Sequence, residues 1–248
     1  MKTVDKYRQT LRSLEDWDDY LLSNSGLPGP RVNLELLQAV YLEGEESRFL
    51  HYLREYRQPE KAPVNSQQQF LFLCGVVGLG RMLPAEGIFS ELRLLASDPR
   101  WRVREGVCIA LQYFGDRDIH SLLFEMKSWS EGSYLEQRAA VAALCEPRLL
   151  KKEDVAIQVI EIVDEVTAYL SKAQERRRED YKILRQGLAY CWSVAVVGQP
   201  NRGKEYMENW LQSEDKDVQW VMRENLKKKR LERMDPIWVQ DARRKMKG

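Results

Sequence analysis

The side chains best suited to chemistry in this chain are tryptophans and basic residues set at helical spacing. In WVMRENLKKKR, residues 220–230, Trp220, Arg223, Lys227 and Arg230 fall at i, i+3, i+7 and i+10, which gathers them on one face of a helix. In SDPRWRVREGVCIALQYF, residues 97–114, Trp101, Glu105, Cys108 and Gln112 share a face, with Arg104 at its border, opposite an apolar face of Val103, Val107, Ala110, Leu111 and Phe114. A tryptophan supplies a large, stiff contact area, and a guanidinium forks onto a carboxylate or a phosphate. Such sets grip anionic macromolecules; they do not by themselves make or break bonds. From 223 to 248 there are ten Lys and Arg against four Asp and Glu, a balance of +6 that leaves −5 for the rest of a chain whose total is +1. That asymmetry marks the C-terminal end as a binding region, set against the plainer account that a terminal repeat keeps a polar outer face for solubility.

Machinery for covalent catalysis is missing from the inventory. His51 and His120 are the two histidines, and no Gly-x-Ser-x-Gly elbow accompanies them. Cys74, Cys108, Cys145 and Cys191 stand far apart without a CxxC pair, so they read as small buried residues in a reducing compartment rather than zinc ligands. The glycines of CGVVGLG, 74–80, would need a preceding strand to cradle phosphate, and they lie instead in an apolar helical stretch. ERRRED, 175–180, reads as a solvated turn, and EDWDDY, 15–20, as a polar N-terminal cap. No catalytic residue, metal or cofactor is expected. The total charge of +1 commits the whole molecule to neither nucleic acid nor membrane. No apolar run is long enough to span a bilayer and the start is too polar for a signal peptide, so a cytoplasmic protein is expected.

The elements that must carry these residues read as helices throughout. Ser66-x-x-Gln69 and Ser133-x-x-Glu136 predict capping boxes, and Asp98-Pro99 and Asp235-Pro236 predict a cap followed by proline at the first helical position. The loops GLPGPR (26–31) and QPEKAPVN (58–65) hold prolines that interrupt helices. Six helical pairs result: 3–22 with 33–43, 45–57 with 66–83, 87–96 with 99–114, 118–130 with 133–146, 152–171 with 179–197, and 201–212 with 216–231, followed by a last helix at 236–246. The pattern recurs. Leu92–Leu95, Asp98, Val103-Arg104 and Ala110-Leu111 are echoed by Leu122-Leu123, Ser133, Gln137-Arg138 and Ala143-Leu144, and by Met207–Leu211, Asp217 to Gln219 and Asn225-Leu226. Periods of this size signal stacked pairs that bury their apolar faces only against their neighbours.

Asp98-Pro99 followed by Val103-Arg104 and Ala110-Leu111 resembles the second-helix signature of HEAT repeats, most fully in 92–115, in part in 207–231 and loosely elsewhere. The resemblance implies an all-α, right-handed α-solenoid of about six HEAT-like pairs with a C-terminal capping helix, whose second helices line a concave, partner-binding wall. It also implies that Arg104 pairs with an aspartate of a neighbouring repeat. The HEAT-like alkylpurine DNA glycosylases are a narrower resemblance, in which Trp101 and Trp192 would hold a lesion, Glu105 would stabilise positive charge on the sugar, and Arg138 and Lys227 would hold phosphates. That family's acid is an aspartate, and its tryptophan-rich motif is not found here. The expectation is therefore one HEAT-like domain over 1–248, comprising N-terminal pairs (1–83), best-matching repeats (87–146), a long pair (152–197) and a basic pair with its cap (201–248). Its function would be that of a non-catalytic scaffold or adaptor whose concave face binds a protein through Trp101, Arg104, Glu105, Arg138, Arg185, Trp192, Trp220, Arg223 and Lys227. The alternative is a DNA-binding protein or glycosylase of the same architecture, with nucleic acid held by the basic C-terminal region; membrane is not a partner in either case.

Overall fold

The computed structural model describes residues 3–246, and every regular element among them is a helix. Contacts divide the chain into two units, Met1–Phe114 and Gly115–Gly248.

The first unit holds α1 (Thr3–Ser13), α2 (Asp18–Asn24), α3 (Leu34–Glu43), α4 (Glu46–Tyr56), α5 (Gln68–Met82), α6 (Ile88–Leu95) and α7 (Trp101–Gly115). Its centre is α5, whose residues from Gln69 to Gly80 are all buried, so the glycines of CGVVGLG belong to a core helix. A Cβ at Gly80 would lie 2.5 Å from the Ala110 carbonyl oxygen, so α5 and α7 meet backbone to backbone at this point. Val103, Val107, Ala110, Leu111 and Phe114 of α7 are buried as their spacing predicts, but so is Cys108 on the other face, because α7 is covered on more than one side.

Two boundaries differ from the sequence reading. Residues 3–22 are two helices: the Asp16 carboxylate accepts from the Asp18 amide in a local turn, and the Trp17 indole folds back to donate to the Leu11 carbonyl at 2.9 Å. At the other, α7 begins at Trp101 rather than at Pro99: Asp98 accepts from the Arg100 amide at 2.8 Å in a turn ahead of the helix, and the Arg100 carbonyl accepts the first helical bonds. The Ser66 box is also offset: Ser66 accepts from the Gln69 amide, while the Gln69 side chain accepts from Asn65.

Arg100 is 1% exposed and holds this unit together. Its guanidinium grips the Asp98 carboxylate at 2.7 and 2.9 Å, donates to the carbonyls of Tyr56, Arg57 and Ala62, and lies 4.3 Å from the Phe72 ring centroid. A buried charge persists only where its donors are satisfied in this way. The arginine thereby fastens the end of α4 and the following loop to the entrance of α7.

The second unit holds α8 (Ile119–Ser130), α9 (Tyr134–Leu144), α10 (Glu153–Lys172), α11 (Glu179–Gly198), α12 (Pro200–Leu211), α13 (Lys216–Leu226), α14 (Lys229–Met234) and α15 (Pro236–Lys245). Each of α8/α9, α10/α11 and α12/α13 packs as a pair. The first helices α8, α10 and α12 touch in sequence, and the second helices α9, α11 and α13 do the same, giving two layers. The Ser133 capping box and the Asp235 cap with Pro236 at the first turn are both present. The expected helix 216–231 breaks after Leu226. Leu226 and Leu231 are both buried, yet five residues apart they point about 140° away from each other on one helix. A break at Lys227-Lys228 lets both reach the core and separates the like charges of LKKKR.

Gly80→Ala is expected to destabilise the protein by about 1–3 kcal/mol through overpacking. Gly187→Ala, whose added Cβ would meet only the Arg138 Cγ at 3.3 Å, is expected to be neutral or stabilising by up to about 1 kcal/mol. Urea unfolding midpoints of the two variants check this contrast.

Candidate partner-binding surface

In the first unit the cluster around Trp101 separates into structural and outward-facing parts. Trp101 is 46% exposed at the start of α7, with the Arg102 guanidinium 4.3 Å from its ring centroid. Arg102 is itself buried, donates to the Gly29 carbonyl at 2.8 Å, and has its pKa lowered by desolvation. Arg104 donates to the carbonyls of Asp98 and Pro99 at 2.7 and 3.1 Å, tying down the turn that opens its own helix. Glu105 is exposed. Of the residues that raise the question of anion binding here, Trp101 and Glu105 face water, while Arg100 and Arg102 are engaged in packing.

In the second unit an arginine–aspartate link joins successive second helices, at Arg185. Arg185 of α11 is ion-paired to Asp217 of α13 and lies 4.6 Å from the Trp220 ring centroid. The Tyr181 hydroxyl donates to Asp217 at 2.7 Å, and Arg176 reaches both Asp215 and Asp217. Burial pushes the Asp217 carboxyl up, but the bonds from Tyr181 and Arg185 and the charges of Arg185 and Arg176 outweigh it and hold the group below the usual carboxylate range. Burial, then the bond to Asp217, pushes the Tyr181 hydroxyl up. Trp220 is thereby half-covered, and Arg138 of α9 is half-buried beside Gly187.

Trp192 does not belong to any exposed wall. It is fully buried, and its indole donates to the Thr167 hydroxyl at 3.0 Å. The reason is crowding: α11 is packed by α9, α10, α12, α13 and α14, so Trp192 shares a covered face with Leu188 and Ala195. The outward aromatic of α11 is Tyr190, 45% exposed, with Val197 two turns on at 39%. Their i, i+7 spacing is a signal the sequence carries, but it is masked by the more conspicuous tryptophan.

The basic stripe is also rearranged. Because the helix ends before Lys228, Arg230 leaves the face it would share with Trp220 and turns to Tyr190, donating to its hydroxyl, with Lys228 5.8 Å from the same ring centroid. Arg223 on α13 and Lys227 just past its end remain exposed, Lys227 paired with Glu224. With Leu226, Arg243 and Met246 they line a shallow depression of about 380 Å³.

Among the described residues no three His, Cys, Asp or Glu side chains come together as a metal site, and no helix is long and apolar enough to cross a membrane. All four cysteines are buried and free of disulfides. Comparison with models of known protein families, and with curated proteins, gives no match to this chain.

The Asp217 network has a measurable signature. Its depressed pKa contributes stability that is present above the unfolded carboxylate value near 4 and is lost as pH falls through the lower folded value. Asp217→Asn is expected to cost about 1–3 kcal/mol near neutral pH and to flatten the loss of stability below about pH 4. Chemical denaturation of both proteins across that range checks it; an unchanged acid slope would mean that Asp217 is not held ionised by its neighbours.

Proposed function

We propose that this protein is a non-catalytic scaffold of HEAT-like type, a right-handed α-solenoid of about six helical pairs capped by α15, that captures an acidic protein partner on its second helices. The layered stacking of three pairs in the second unit supports the architecture. The Arg185–Asp217 link between α11 and α13 is of the kind that HEAT-like stacks use between repeats.

One observation carries the functional reading. Arg223, Lys228, Lys229 and Arg230 have no carboxylate partner among the described residues, whereas basic groups such as Arg8, Arg12, Arg57, Arg148 and Arg176 are ion-paired within the chain. Uncompensated cations, two of which (Lys228 and Arg230) lie against the exposed ring of Tyr190, suit a surface whose counter-charge arrives on another molecule. In this reading Arg223 grips carboxylates, joined by Lys227 on leaving its surface pair with Glu224, and Tyr190 supplies apolar contact; Trp101 and Glu105 are, separately, the exposed candidates of the first unit. Four free, buried cysteines agree with a cytoplasmic protein.

Arg223→Glu combined with Lys227→Glu tests the proposal at two exposed positions, with unchanged helicity and unfolding midpoint as the control that the variant is folded. The wild-type protein is expected to retain a protein partner from native lysate after nuclease treatment, and the double variant to lose at least about tenfold of it. Retention that nuclease abolishes, with binding to duplex DNA falling steeply as salt rises, would replace the protein partner by nucleic acid. Equal capture by variant and wild type would overturn the proposal altogether.

A further inference from the structure

A cleft of about 450 Å³ opens in the second unit where the C-terminal end of α11 meets the loop after α9. Its volume lies within the range of small-ligand sites. Pro147, Leu150, Val194 and Val197 form apolar walls, and Lys151 and Arg230 are its two charged residues. Neither has an ion pair among the described residues. The Arg230 guanidinium has one acceptor, the Tyr190 hydroxyl, and its Nη1 is enclosed without a hydrogen-bond partner. A helix C-terminus carries about half a unit of negative charge, which does not balance two full cations. The cleft therefore combines apolar walls, a net positive rim and a guanidinium with unused donors.

From this combination we infer that the cleft is a binding site for an aliphatic carboxylate, with the alkyl group against Val194, Val197, Leu150 and Pro147 and the carboxylate on Arg230 and Lys151. Guanidinium and carboxylate are both planar and pair through two parallel bonds. Turning the Arg230 head out of its bond to the Tyr190 hydroxyl presents Nη1 and Nη2 together to such a group, exchanging one bond to a neutral acceptor for two to a charged one and satisfying the orphaned donor. A bare phosphate has nothing to place against the four apolar walls, and a neutral alkane leaves Nη1 unsatisfied. An aliphatic acid meets both demands. It can arrive as a free fatty or branched acid, or as the C-terminal residue of a polypeptide with an aliphatic side chain. This inference shares Arg230 with the scaffold proposal but does not rest on it, since the apolar walls and Lys151 belong to the cleft alone and the variants that test it are different ones.

Calorimetric titration of the full chain with octanoate and with 1-octanol is the first test. Octanoate is expected to bind at least about tenfold more tightly, because the alcohol shares the tail and lacks the charge. Arg230→Met is expected to lose at least about tenfold in octanoate affinity while leaving octanol unchanged. Val197→Phe, at a partly exposed position, is expected to weaken both by filling the cleft. Should Arg230→Met fail to fold, the paired ligands on the wild type and Val197→Phe still decide. Acetyl-leucyl-leucine and its amide separate the two sources. Tighter binding of the peptide acid than of octanoate assigns the site to a chain terminus, and the reverse assigns it to a free acid. Equal affinity for octanoate and octanol, insensitivity to Arg230→Met, or no binding of either acid at millimolar concentration would overturn the inference.

Discussion

Each unit is organised around one helix that must be covered on nearly every side. In the first it is α5, apolar or small from Phe70 to Gly80 and buried throughout. In the second it is α11, twenty residues long and touched by α9, α10, α12, α13 and α14. Burial of that much apolar surface is the main favourable term available to such a fold. Most of the remaining helices pack against one of these two, α10 as a twenty-residue helix of its own and the others as shorter segments.

Covering a helix so fully forces polar groups inside, and the central ones are held there by several partners each. Arg100 has a carboxylate, three carbonyls and an aromatic ring. Asn225 accepts from the Ser193 amide and donates to the carbonyls of Leu188 and Val221, which locks α13 onto α11. Asp217 is met by Tyr181, Arg185 and Arg176. A buried donor or charge left alone costs more than an ordinary hydrogen bond returns, so these groups also fix which helix faces which. They are positional devices, and none of them has the open geometry of a reacting group.

Near the C-terminal end, four cations, Arg223, Lys228, Lys229 and Arg230, have no carboxylate partner among the described residues. Arg223 lies in the last turn of α13, where the carbonyl dipoles favour positive charge, whereas Lys228, Lys229 and Arg230 stand at the start of α14 and Lys151 just before α10, where the amide dipoles oppose it. At these N-terminal positions an incoming anion would be favoured by the helix dipole as well as by the side-chain charge, and the C-terminal excess of Lys and Arg includes Lys228, Lys229 and Arg230.

The amino-acid sequence alone settled the elements whose causes are local. Ser133 with Glu136, and Asp235 with Pro236, start helices because their side chains satisfy free amides a turn away, and no distant residue is needed. The apolar stripe of α7 follows from periodicity in the same way. The break at Trp17 and the break after Leu226 were not visible, because each depends on where a remote core lies: Trp17 returns to Leu11, and Leu231 must be buried along with Leu226. The choice between Trp192 and Tyr190 as the outward aromatic belongs to tertiary structure too. A helical wheel fixes the angle between them, but only the neighbours packed around α11 decide which direction faces water. The cleft at Arg230 likewise exists because three segments distant in sequence converge, so that a guanidinium read as one member of a stripe stands over an apolar hollow instead.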